Sequence, residues 1–220
     1  MLLPRTTLLH TVAAAFLMAA SPLAWAAPSH AQLVDRFGVK AGVVSAGVTD
    51  ELTEDKFSER RGMAASVFAE RRLLSFLSLV GEVGYVQRGF NETLSFDPLN
   101  EEAGTRLDYL TIPVMMKLNY DSGLATLYAL GGPRIDVLLN REPGVFKGFG
   151  TPPFKESRYA DKYDSLAAGG TVGLGMTTPK RFPVRLLLEG RYEFDLTDSY
   201  APDPFDIHNR AFSIVAGVAF

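Results

Sequence analysis

Six charged residues stand among Leu, Val, Tyr and Phe at strand-like spacing in this 220-residue chain: Glu82, Arg88, Lys117, Glu189, Arg191 and Glu193. Acids and bases placed this way support one of two chemistries. In a narrow, poorly hydrated interior they pair and hold one another in place. If some stay wet and can change partners, they pass a proton or an ion along instead. Catalysis has fewer means here. Of the three His, His10 and His30 lie near the N-terminus, and only His208, close to Asp206 and Ser213, stands in the body of the chain. Nucleophilic chemistry needs a hydroxyl or carboxylate held against such a base, and the spacing of His208 and Ser213 along one strand does not secure that. Asp203, Asp206 and His208 share a loop, yet Pro202 and Pro204 give them no regular spacing to aim at one ion. No catalytic residue, cofactor or metal site is expected.

The elements that must carry the six charges are strands. Alternation with period two marks eight of them, at Phe37 to Val48, Gly62 to Glu70, Phe76 to Phe90, Arg106 to Tyr120, Leu124 to Leu139, Tyr163 to Thr177, Val184 to Thr197, and Asn209 to Phe220. Most reach the about 9–11 residues that a tilted strand needs to cross a bilayer. The seventh is the clearest. Leu186, Leu188, Tyr192, Phe194 and Leu196 share one face with Gly190, while Arg185, Glu189, Arg191, Glu193 and Asp195 share the other. A soluble barrel would turn the charged face to water, and a membrane barrel would turn it inward.

Connection lengths favour the second arrangement. Long links at Thr49 to Arg61, Asn91 to Thr105, Asn140 to Lys162 and Asp198 to His208 strictly alternate with short turns around Arg71-Arg72, Asp121-Ser122-Gly123 and Pro179-Lys180-Arg181. An up-and-down outer-membrane barrel has long loops at one end and tight turns at the other. The first two long links are acidic, as solvated segments are. Pro143, Gly148, Gly150, Pro152 and Pro153 predict no regular pairing in the third.

Composition fits a secreted, single-domain barrel. Met1 to Ala26 reads as a cleaved signal peptide, with Arg5 before an apolar run and Ala24-Trp25-Ala26 as the cleavage site; a second cut after Ala31 is equally formed. Residues 32–220 then make one domain, of a length that suits about eight strands. There is no Cys, so the fold must rest on its own hydrogen bonds, and a net charge of −3 argues against nucleic acid as a partner. The last strand is apolar on the face of Phe212, Ile214, Ala216, Val218 and Phe220. An aromatic end of this kind resembles the assembly signal read by the barrel-insertion machinery, with Phe212 and Phe220 as its residues.

Tyr109-Leu110-Thr111-Ile112-Pro113-Val114-Met115-Met116-Lys117, followed by Ala129-Leu130-Gly131-Gly132-Pro133, resembles the small bacterial outer-membrane β-barrel family of the porin-family or PorT-like type. Gly169-Gly170-Thr171-Val172-Gly173-Leu174-Gly175 and Leu188-Glu189-Gly190-Arg191-Tyr192 match that family's Gly-rich sixth and Arg-Tyr seventh strands. Thr111 departs from it, since the family often carries Glu there. Together with the eight alternating strands, the resemblance implies an antiparallel transmembrane barrel in contact with outer-membrane lipid and lipopolysaccharide, taken as monomeric by default. An eight-strand interior is about filled by side chains, so the expected role is structural or surface-binding, with the lumen plugged by the six charges. Two alternatives stand beside it: a narrow channel for ions or small solutes, and a soluble lipocalin-like ligand-binding barrel.

Overall fold

Alternating apolar and polar residues with abundant Val, Tyr, Phe and Thr favour extended backbone, whose side chains leave by opposite faces. The computed structural model follows that pattern over the residues it describes: 34–49, 57–96, 99–146, 155–156, 165–179, 181–197 and 208–220. The expected signal peptide lies outside these residues, as do Asp203 and Asp206. Among the described residues ten strands run in chain order: β1 (Arg36–Thr49), β2 (Phe57–Arg72), β3 (Leu77–Phe96), β4 (Leu99–Asp121), β5 (Thr126–Glu142), β6 (Val145–Phe146), β7 (Lys155–Glu156), β8 (Leu166–Thr177), β9 (Arg185–Asp195) and β10 (His208–Ala219). Eight of them close into a barrel in the order β1-β10-β9-β8-β5-β4-β3-β2, every neighbour antiparallel. Closure pairs the first strand with the last, from Gly38 opposite Ala219 to Thr49 opposite His208, and so leaves no edge unpaired.

Three expectations about the long links need correction. The first link is shorter than Thr49 to Arg61, because β2 already begins at Phe57, where Phe57, Ser58 and Glu59 pair with Glu92, Asn91 and Phe90. The second link continues as a β-hairpin, because β3 and β4 stay in register from Asn91 opposite Gly104 to Phe96 opposite Leu99. Thr93, Leu94 and Phe96 are strand formers that the acidic residues around them obscure. In the third link Val145 and Phe146 pair with Glu156 and Lys155. Proline blocks pairing only where it stands, and neither two-residue partner contains one. Of the three expected short turns, the one at Asp121-Ser122-Gly123 is in place, whereas the first falls at residues 73–76 because Arg71 and Arg72 still pair in β2 with Leu79 and Ser78, and Lys180 of the third lies outside the described residues. In the turn after β4, the Gly123 N–H donates to Asp121 Oδ1 at 3.1 Å, and its φ of 80° is a left-handed value that favours glycine.

Exposure decides which face is outside. Along β9 residues alternate between buried and outward, with Leu186 60% and Leu188 48% exposed while Glu189 is 2% and Arg191 5%. The same inversion holds on β3, where Leu79 and Val83 face out and Ser78 and Glu82 face in, and on β4, where Ile112, Val114, Met116 and Leu118 face out and Lys117 faces in. Charge inside and hydrocarbon outside rules out the soluble lipocalin-like alternative, which needs an apolar interior and a charged exterior.

Aromatic and polar residues bound this outward apolar band. At the turn end stand Phe76, Tyr120 and Phe182, with Phe37 stacked on Phe220 at 5.7 Å between ring centroids. At the loop end the outward face of β3 and β4 turns polar: Arg106 donates to Asp108 Oδ1 at 2.8 Å and to the Tyr85 hydroxyl at 3.1 Å.

Candidate functional site: the charged lumen

All six charged residues marked by the sequence point into the barrel and are buried. They fall into two layers. Toward the turn end, Arg191 grips Glu82 with two bonds, Nη1 to Oε1 at 3.0 Å and Nη2 to Oε2 at 2.7 Å, while its Nε donates to Glu189. Lys40 Nζ completes the square, donating to Glu82 Oε2 at 3.1 Å and Glu189 Oε2 at 3.3 Å. The bidentate contact fixes the guanidinium plane as well as its charge. Lys117 belongs to the same layer but pairs elsewhere, donating to Glu70 Oε2 at 2.9 Å.

Toward the loop end, Arg88 bridges Asp136 at 2.7 Å and Glu193 at 2.6 Å. Arg134 shares Asp136, also at 2.7 Å, and reaches Asp195 Oδ1 at 2.5 Å. Thr111, where the resembled family often has Glu, is the Cα partner of Asp136. The neighbouring strand therefore supplies the carboxylate that β4 lacks.

Strand register explains how side chains from distant strands meet. Tyr128 on β5, Gly175 on β8 and Glu189 on β9 are partners on one rung, as are Arg134, Gly169 and Asp195. A glycine between two long side chains lets them close over it. The Tyr128 hydroxyl thus donates to Glu189 Oε2 at 2.8 Å, and a Cβ added at Gly175 would lie 2.4 Å from the Tyr128 ring. Gly175→Ala should displace Tyr128 from Glu189 and lower stability by about 1–3 kcal/mol, the usual range for overpacking. A urea titration followed by the shift from folded to unfolded gel mobility measures this, and an unchanged midpoint would show that the rung has slack.

Apolar side chains fill the space around the ions. Phe68, Val80, Met115, Tyr128, Leu130 and Leu187 pack with Ala219 in one cluster, and Val44, Val86, Phe90, Leu107 and Tyr109 pack with Ala46 and Ala211 in the other. Lys40 lies 4.6 Å from the Phe68 ring centroid and Lys117 4.2 Å from that of Tyr128, so aromatic faces cap cations already paired to carboxylates.

Four charged members of the network, Lys40, Glu70, Arg134 and Asp136, were not singled out from the sequence, and a fifth, Asp195, was placed on the charged face of its strand without being counted among the six. Their signal was parity, since each sits on the inward register of its strand. Ser213, by contrast, is buried on the lumen side of β10, and its proposed neighbour Asp206 lies outside the described residues. Phe212 and Phe220 are not lumenal. Both stand outward and half exposed.

A family model for the outer membrane protein beta-barrel domain matches residues 31–201. The chain belongs to this family. It is a protein of the bacterial outer membrane, and the outward band of Leu, Val, Ile and Phe is its lipid-facing surface. No curated protein matches the chain. Among solved structures it is similar to Ail, the attachment invasion locus protein of Yersinia pestis, at 14% identity and TM-score 0.45, covering 84% of this chain and 98% of that one. Neisserial surface protein A is similar at 16% identity and TM-score 0.45, with 83% and 95% covered. OprG of Pseudomonas aeruginosa is similar at 8% identity and TM-score 0.47, with 84% and 95% covered. With the family in place, the turn end of the barrel is periplasmic and the loop end extracellular, as in outer-membrane barrels generally.

Proposed function

We propose that this outer-membrane barrel is a sealed scaffold with a structural or surface-binding role, in which the lumen carries no solute and the long extracellular links make the contacts. The observation that carries this reading is the double layer of paired ions across the lumen, Lys40, Glu82, Glu189 and Arg191 below and Arg88, Arg134, Asp136, Glu193 and Asp195 above. Each layer joins strands from different parts of the barrel wall: β1, β3 and β9 below, β3, β5 and β9 above. Ions held this way lack the free partner that conduction requires, and apolar clusters occupy the space beside them. Outer-membrane lipid and lipopolysaccharide are the proposed neighbours of a monomeric barrel. The role is non-catalytic.

Proteoliposomes test the seal. Vesicles loaded with a large polysaccharide and holding the refolded protein should swell in isotonic arabinose no faster than protein-free vesicles. Swelling whose rate falls with increasing sugar size would replace the scaffold by a solute channel.

A further inference from the structure

Arg185 opens β9 with its side chain directed inward at the periplasmic mouth, and it is 8% exposed. Its Nη1 is buried with no hydrogen-bond partner, and among the described residues the guanidinium makes no ion pair. Its rung offers none. Ala219 and Gly38, its partners on the next two strands, carry no polar side chain.

The surrounding charges do not fill the gap. Arg36 and Arg72 are near enough to repel Arg185, while Glu70 and Asp121 are near enough to attract it. Glu70 is already engaged by Lys117 at 2.9 Å and by Arg36 at 3.9 Å. Asp121 accepts from the Gly123 N–H in its own turn. Asp35, the next carboxylate at this rim, accepts from the Arg72 backbone N–H at 2.7 Å and pairs with Arg71 at 3.8 Å. A buried guanidinium under the repulsion of two other arginines, with an unpartnered Nη1 and no carboxylate of its own, is unfavourable unless an anion joins it.

We propose that the periplasmic mouth of the barrel is a phosphoryl-oxyanion site, in which Arg185 with Arg36 and Arg72 binds one phosphate group. The planar fork of arginine matches two oxygens of a tetrahedral oxyanion, which favours phosphate over a spherical ion. Two sources present this chemistry at the periplasmic face: free phosphate and the headgroup of a phospholipid from the inner leaflet. The site opens to the periplasm, so it is independent of whether the lumen conducts.

The test uses the whole refolded protein in maltoside micelles, which contain no phosphate, titrated calorimetrically with inorganic phosphate at constant ionic strength. Wild type should show saturable binding at one site. Arg185→Gln should weaken it at least tenfold, and Arg181→Gln, on an exposed turn outside the site, should leave it unchanged. Arg185→Lys keeps the charge but loses the fork, and should weaken binding severalfold; it stands in if the glutamine variant fails to fold. Repeating the titration with phosphatidylglycerol in the micelles separates the sources. Phosphate binding lost there identifies a lipid headgroup as the occupant, and binding retained identifies free phosphate. Absence of saturable binding in wild type, or equal affinity in the Arg185 variants, overturns the proposal.

Discussion

Leu188→Arg is expected to block assembly of the barrel, or to lower its stability by about 2–4 kcal/mol, the range for a cation placed near the bilayer midplane on the lipid face of a barrel. Leu188 is outward and 48% exposed. Its strand partners Met176 and Ala216 are outward as well, so its rung offers no polar side chain to the new charge. Refolding into phospholipid vesicles across a urea series reads the effect directly. The neighbouring residue gives the contrast. On parity alone Leu187 should accept a polar residue with ease, but it is 6% exposed and packed with Met115 and Tyr128. Leu187→Asn therefore loses packing in the lumen, while still avoiding lipid, and should cost less than Leu188→Arg. Equal losses at the two sites would contradict the assignment of the faces.

Arg191→Ala is expected to lower stability by about 3–5 kcal/mol, as breaking a buried ion pair by removing one partner does. The deletion leaves Glu82 and Glu189 facing each other with Lys40 as their shared cation. It also removes the clamp that holds Glu82 in its plane. Arg71→Ala is the matched control. Arg71 lies 3.8 Å from Asp35 with its side chain 44% exposed, and such surface pairs contribute only about 0–1 kcal/mol. Equilibrium unfolding of the two variants beside wild type compares them in one experiment. Similar midpoints for both would mean that water reaches Glu82 and Glu189 and that the lower layer is hydrated.

The barrel was legible in the sequence wherever a strand kept one face apolar and the other charged. On β9 the contrast between Leu186 and Leu188 and Glu189 and Arg191 leaves only the direction of the faces open, and the alternation of long and short links closes that question. The hairpin above β3 and β4 was not legible. Polar residues flanking Leu94 and Phe96 read as a loop, and only the register with β4 reveals a ladder.

The lumenal network was half legible for a related reason. Glu82 and Arg191 belong to strands with a strict alternation. Past Arg36 at its very start, β1 carries Lys40 alone among the inward Gly38, Gly42 and Val44, and Arg134 and Asp136 follow the inward Tyr128 and Leu130, so neither strand advertises a charged face. Their partners also lie far away in the chain. Lys40 and Glu189 are 149 residues apart and meet only because closure sets β1 two strands from β9. The glycines of β8 carried a signal of another kind. Gly169 and Gly175 reflect what must pass over them, and that becomes visible once the rungs joining β5, β8 and β9 are known.

Single-channel recording on the purified, refolded protein in a planar bilayer tests the sealed lumen most directly. If the proposed seal by Lys40, Glu82, Glu189 and Arg191 holds, wild type should keep the current at the level of the bare membrane across the voltage range. Steady, ion-selective currents in wild type that change when Glu189→Gln or Lys117→Met removes a lumenal charge would contradict the seal and make the barrel a channel.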